Sequence, residues 1–190
     1  MTETTRQRHQ APESPGTSPL VRLRDGSLVA VRPVAAADEA ALHTFLAGLS
    51  PEARRLRFFS GGADMGTAAH AAAEPGAGRY GLLVHDETGA LVGHALYVPM
   101  DPTHAEVAVE VADHLHGRGL GTILIERLAA AAEQHGITHF TAEVLPENHA
   151  MLDVFRDAFG AHVRLRDGVN RVELPTASWR RACSRYPQPA

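Results

Sequence analysis

Lysine is absent from the 190-residue chain, and all eighteen of its basic residues are arginine. That excludes a P-loop, whose glycine-rich turn must end in Gly-Lys-Ser or Gly-Lys-Thr. Cysteine is nearly absent too: Cys183 alone cannot build an intrachain disulfide framework. Its place among arginine and proline near the C-terminus reads as a solvated tail residue rather than a nucleophile. No apolar run approaches the ~20 residues of a membrane span. The polar N-terminus lacks the apolar core of a signal peptide, so a soluble, cytoplasmic protein is expected. The net charge of −4 gives no basic excess with which to expect nucleic-acid binding.

The composition is 44% hydrophobic against 21% charged, enough to bury the core of one ordinary domain. Residues 1–18 hold almost nothing apolar and are expected to form a disordered arm. Residues 19–178 are expected to form the domain and 179–190 a tail, with a packed turn around Trp179. Residues 20–32 alternate about Asp25-Gly26 and residues 162–174 about Asp167-Gly168, both hairpin signals. Residues 79–85, 90–98 and 138–145 read as further strands. Helices are expected over 37–49, 119–135 and 147–158, and over a segment that Ser50 caps and Pro51 opens. The alanine-rich stretch 67–74 has a weak apolar face and suggests a loose, exposed, mobile helix. About seven strands with four or five helices make a mixed α/β or α+β fold.

The centre of the chain is AEVAVEVADHLHGRGLGT, residues 105–122. Ala105, Val107, Val109 and Val111 alternate with Glu106, Ala108 and Glu110, the period of a strand. Gly117, Gly119 and Gly121 follow, and Leu120, Ile123, Leu124, Leu128 and Ala131 then mark one helix face. A strand that ends in a glycine turn at a helix N-terminus is an anion site. The first helical N–H groups lack partners, the dipole adds positive potential, and missing side chains let phosphate approach. The dinucleotide fingerprint G-x-G-x-x-G does not fit, because counting from Gly117 puts Thr122 at its last position. His114 and His116 are close in sequence, but no cluster completes a metal site and no metal is expected.

His116-Gly117-Arg118-Gly119-Leu120-Gly121 resembles [Gln/Arg]-x-x-Gly-x-Gly, the pyrophosphate turn of the GNAT superfamily of acyl-CoA-dependent N-acyltransferases. His116 departs from the pattern at its first position. Ala105-Glu106-Val107-Ala108-Val109 is similar to the catalytic strand of bacterial Pat-type protein acetyltransferases. Leu23-Arg24-Asp25-Gly26, Val31-Arg32-Pro33 and the block from Ser50-Pro51-Glu52 to Leu56-Arg57-Phe58-Phe59 resemble the same subgroup, so the likeness runs from Val21 to Leu174. It implies the GNAT fold, a largely antiparallel sheet that splays beside the central strand, where the pantetheine arm of the donor inserts. It also implies acetyl-CoA as co-substrate and acetyl transfer to a primary amine. A protein lysine is the first expectation and an aminoglycoside or polyamine the second.

Such transfer needs the donor held, its carbonyl polarised and the amine deprotonated. The resemblance assigns the general base to Glu106. Glu110 is the rival. In a regular strand it shares the face of Glu106, and like-charge repulsion would then raise one of the two pKa values. A bulge, frequent at this place in the family, would turn it elsewhere. By resemblance the backbone of Val109, Glu110 and Val111 pairs with the pantetheine arm. His116, Gly117, Arg118, Gly119, Leu120, Gly121 and Thr122 cradle the phosphates, and Asn148 contacts the donor from the next helix. Arg118 can add a charge-assisted contact to phosphate. Leu56, Phe58 and Phe59 are expected to pack in the core. Many members carry a tyrosine acid where this chain has Phe155, which cannot donate a proton.

His116 and Phe155 are the two departures, and they support a different class of protein, a non-catalytic acyl-CoA sensor. A monomer or homodimer is expected. Without lysine, any self-acetylation would fall mainly on the N-terminal amine.

Overall fold

The sheet is built around β5 (His104–Val111), which pairs with a different geometry on each side. In the computed structural model, residues 20–59, 63–74, 76 and 78–180 are described. The expected arm, Cys183 and most of the expected tail lie outside them. The other strands are β1 (Leu20–Arg22), β2 (Leu28–Pro33), β3 (Tyr80–Asp86), β4 (Leu91–Pro99), β6 (His139–Val144), β7 (His162–Arg166) and β8 (Val169–Pro175). The eight strands stand in the order β1-β2-β3-β4-β5-β6-β8-β7. All neighbours are antiparallel except β5 and β6. The fold is therefore the mixed, largely antiparallel one expected, with eight strands among the described residues where about seven were expected.

Helices cover both faces. On one side lie α4 (Leu120–Gln134) and α5 (His149–Asp153). Leu120, Leu124, Ile125 and Leu128 of α4 are buried with Phe140, Val144, Phe155 and Leu174 in the larger core. On the other side are α1 (Glu39–Gly48), α2 (Pro51–Phe58) and α3 (Met65–Ala73). Leu42, Phe45, Leu46 and Leu49 form a smaller core there with Leu83 of β3. The alanine-rich helix, expected loose and exposed, is instead packed: Ala69 and Ala73 are buried in that second core. Small side chains make its contact close rather than weak, because a methyl lets one helix backbone approach another.

The C-terminal end of α4 is fastened by polar contacts. Tyr97 is fully buried, and its hydroxyl meets Nδ1 of His135 at 2.7 Å. Trp179 Nε1 donates to Glu133 Oε2 at 2.8 Å, and Arg180 donates to both oxygens of the same carboxylate at 3.0 and 2.9 Å. Residue 179 is thus bound to the body of the fold.

Phe140 has no exposed surface and meets the Tyr97 ring at a centroid distance of 5.7 Å. Its replacement by alanine removes that contact and leaves a cavity under β6. Phe140→Ala is expected to lower unfolding free energy by about 3–5 kcal/mol, read from urea denaturation.

Candidate active site

The register of β5 sets up the site. Seven residue pairs join it to β4 without a break, from Pro99↔Ala105 to Gly93↔Val111. Only three join it to β6, and they end at Glu106↔Thr141. Beyond Glu106 the two strands diverge. His104 O accepts from Met100 N at 2.9 Å and Ala112 N donates to Val92 O at 2.9 Å, so the even-numbered backbone groups point to β4. Beyond the last pair, the N–H and C=O of Val109 and the N–H of Val111 therefore aim at the widening gap, while Val111 O accepts from His116 Nε2. A cleft of about 690 Å³ opens there, walled by α2 on one side and by β6 and α5 on the other.

The top of the cleft is the glycine turn. Gly117 and Gly119 have φ of +74° and +88°, a left-handed backbone that other residues adopt only with strain. Gly119 is the N-cap of α4 and has no side chain to occupy the first-turn N–H groups of Leu120, Gly121 and Thr122. All four residues line the cleft, as do His116 and Gly117. The donor set fits a phosphate: orphaned amides, the positive end of a 15-residue helix and an open approach. His116 is turned inward, with Nε2 donating to Val111 O at 2.9 Å. Arg118 is not brought to the cleft. Its Nη1 donates to Asp25 Oδ2 at 2.5 Å on the β1–β2 hairpin, while Arg24 of that hairpin lines the cleft instead.

The far wall holds Asn148, whose Oδ1 accepts from Met151 N at 3.2 Å and caps α5. Asn148 also lines the cleft, so its capping and its donor-side position coexist. The helix continues as a π-turn, Val154–Ala158, which carries Phe155, 2% exposed, into the cleft wall. Among the described residues no group of three or more His, Cys, Asp or Glu gathers as a metal site.

The two carboxylates of β5 have opposite fates. Glu106 is exposed at the point where the strands part. Glu110 keeps the same face, because the β4 register carries no bulge, yet it is only 5% exposed. His94 stands directly across on β4 and places Nδ1 at 3.0 Å from Glu110 Oε2. Arg57 of α2 donates through Nε to Glu110 Oε1. Burial favours the neutral acid, but the charges of Arg57 and His94 outweigh it and hold the pKa down at about 2. At Glu110 the expected rise from like-charge repulsion gives way to a lowering. Four residues of strand separate the carboxylates by about 13 Å, and Glu110 has Arg57 and His94 in direct contact.

Arg57 also explains α2. Ser50 caps this helix, its Oγ accepting from Ala53 N at 3.1 Å, but none of its residues is fully buried. Leu56, Phe58 and Phe59 all line the cleft; Phe58 also packs against the smaller core, as expected, while Phe59 is 40% exposed. Polar bonds across the cleft hold α2: Arg57 to Glu110, and Arg55 Nη1 to Glu147 Oε1 at 2.5 Å, beside the start of α5. Sequence reasoning missed Arg24, Arg57 and His94 as parts of the site. No local pattern marks them, since each matters through a partner on a distant strand.

The family model for the acetyltransferase (GNAT) family matches residues 50–161, more than half of the chain. The crystal structure of the GNAT domain of S. lividans Pat is 33% identical, with a TM-score of 0.74 over 86% of this chain and 99% of that one. The fold and cleft are those of an acyltransferase, and the chain belongs to the acetyltransferase (GNAT) family. Acetyltransferase Pat of Mycolicibacterium smegmatis is 33% identical over 97 residues, which are 51% of this chain and 27% of that protein. The chain thus matches about a quarter of that relative's length. The structure of yncA from Salmonella typhimurium with acetyl-CoA is 19% identical, covers 78% of this chain and 94% of its own, and has a TM-score of 0.62. At that identity the likeness is one of fold.

Glu110→Gln removes the charge that balances Arg57 and is expected to cost about 1–3 kcal/mol at neutral pH. The pKa of Glu110 is depressed from its ordinary 4.5 to about 2. Its contribution is therefore complete above about pH 4.5 and is lost as pH falls toward 2. Urea unfolding of both proteins between pH 7 and pH 3 should show the gap between them narrowing on acidification.

Proposed function

We propose that the protein transfers an acetyl group from acetyl-CoA directly to a primary amine, with Glu106 as general base and a protein lysine side chain as acceptor. Glu106 stands exposed at the fork of β5 and β6, and that placement carries the reading. An alkylammonium has an ordinary pKa of about 10.4, so an amine must lose a proton before it can attack. Glu106 accepts that proton at a carboxylate oxygen, directly or through one water. The backbone N–H groups of the free β5 edge hold and polarise the acyl carbonyl. Acetyl-CoA, when bound, supplies the acetyl group activated as a thioester. Phe155 leaves no tyrosine hydroxyl at that place to return a proton to the departing thiolate, so solvent water fills the role.

The lysine reading rests on the likeness to the two Pat proteins and on how the cleft charges are spent. Glu110 is committed to Arg57 and His94, and Glu143 faces Arg171 at 3.5 Å. A cleft so neutralised suits one lysine presented on a protein better than a polyamine. A small-amine acceptor is the second reading, supported by the five carboxylates in the lining: Glu106, Glu110, Glu143, Asp153 and Asp157.

Labelled acetyl-CoA, incubated with a cell extract and either wild type or Glu106→Gln, tests the proposal. The expected result is label in the protein fraction, reduced about 10²- to 10⁴-fold by the substitution, with acetyl-CoA binding retained. Label confined to small molecules would contradict the lysine acceptor. Binding without transfer to either fraction by wild type would contradict catalysis.

A further inference from the structure

The glycine turn is fastened to the β1–β2 hairpin by contacts that exchange the roles of two arginines. Arg24 N donates to Arg118 O at 3.1 Å, and Arg118 Nη1 donates to Asp25 Oδ2 at 2.5 Å. Asp25 is itself bound by the hydroxyl of Ser27 at 2.6 Å and its amide at 3.1 Å. Those two bonds, with the charge of Arg118, hold the Asp25 carboxyl below its ordinary range. Arg118 is thereby drawn out of the cleft lining. The same bracket carries Arg24 into it. The Arg24 side chain lies over Gly119 so closely that a Cβ there would stand 3.1 Å from its Nε, 3.3 Å from its Cγ and 3.4 Å from its Cδ. Gly119 is thus favoured by its φ of +88°, and a side chain there would press on Arg24.

We infer that Arg24, rather than Arg118, supplies the cation that meets the phosphate groups of the acyl-CoA at this turn, and that the Arg118–Asp25 pair is the brace that positions it. The inference rests on the reading of acetyl-CoA as donor. Its chemistry is plain: the α4 N-terminus offers amides and partial positive charge, and a guanidinium over the helix start adds a full charge and forked donors. Among the described residues of the cleft lining the other basic side chains are Arg57, which stands on α2, and His116, an imidazole without a permanent charge.

The test is isothermal titration of wild type, Arg24→Ala, Arg24→Lys and Arg118→Ala with CoA, dephospho-CoA and pantetheine. Arg24→Ala is expected to weaken CoA roughly tenfold to a hundredfold and to leave pantetheine unchanged. Arg24→Lys should recover part of the loss. Equal losses for CoA and dephospho-CoA place the contact on the diphosphate, and a loss for CoA alone places it on the 3′-phosphate. Arg118→Ala should cause a smaller loss of the same selectivity. Unchanged CoA affinity in Arg24→Ala, an equal loss for pantetheine, or a larger phosphate-selective loss in Arg118→Ala would each overturn the inference while leaving the donor reading intact. Failure of wild type to bind CoA would overturn the donor reading itself.

Discussion

The fork between β5 and β6 is the constraint on which the rest of the site depends. A strand in the middle of a sheet spends its backbone donors and acceptors on two neighbours. Here β5 keeps the full ladder to β4 and abandons the ladder to β6 after Glu106. One row of backbone groups then faces a cleft. A short 3₁₀ turn, Asp113–Leu115, joins that row to the turn at Gly117 and Gly119, where α4 leaves another set of amides unpaired. Two adjoining segments of unsatisfied backbone, one extended and one helical, match a ligand with an amide-bearing arm and a phosphate end.

Charge is distributed along β5 with the same economy. Glu106 and Glu110 share a strand and a face, but only Glu110 is enclosed by Arg57 and His94. It stays ionised in spite of burial because Arg57 and His94 touch both of its oxygens. Its carboxylate anchors α2, a helix with no fully buried residue of its own, and so fixes the wall that carries Leu56, Phe58 and Phe59. Glu106 is left exposed at the fork. Two residues of the same type four positions apart thus have opposite surroundings, one enclosed by partners and one open.

Local pattern made much of this legible. The alternation through Ala105–Val111, the glycine turn and the apolar face of α4 are short-range signals, and the structure forms each of them. The hairpin residues Asp25-Gly26 and Asp167-Gly168 likewise encode their turns without help from elsewhere. What could not be read was any role decided by a distant partner. Arg118 stands in the turn motif, yet Asp25 of β1–β2 takes it, and Arg24 enters the cleft in its stead. Glu110 needed the register that sets His94 opposite it, and α3 needed the packing of Ala69 and Ala73 against α1. Side-chain periodicity records which face a residue occupies; it does not record which charge stands across the cleft.

Amide hydrogen exchange along β5, with and without CoA, tests the fork most directly. In the free protein the N–H groups of Ala108 and Glu110 should exchange slowly, being bonded to β4, while those of Val109 and Val111 exchange fast. CoA should slow Val109 and Val111 and leave Ala108 and Glu110 as they were. Val109 and Val111 amides that are already protected without CoA, or that are unaffected by it, would contradict a free backbone edge at the centre of the site.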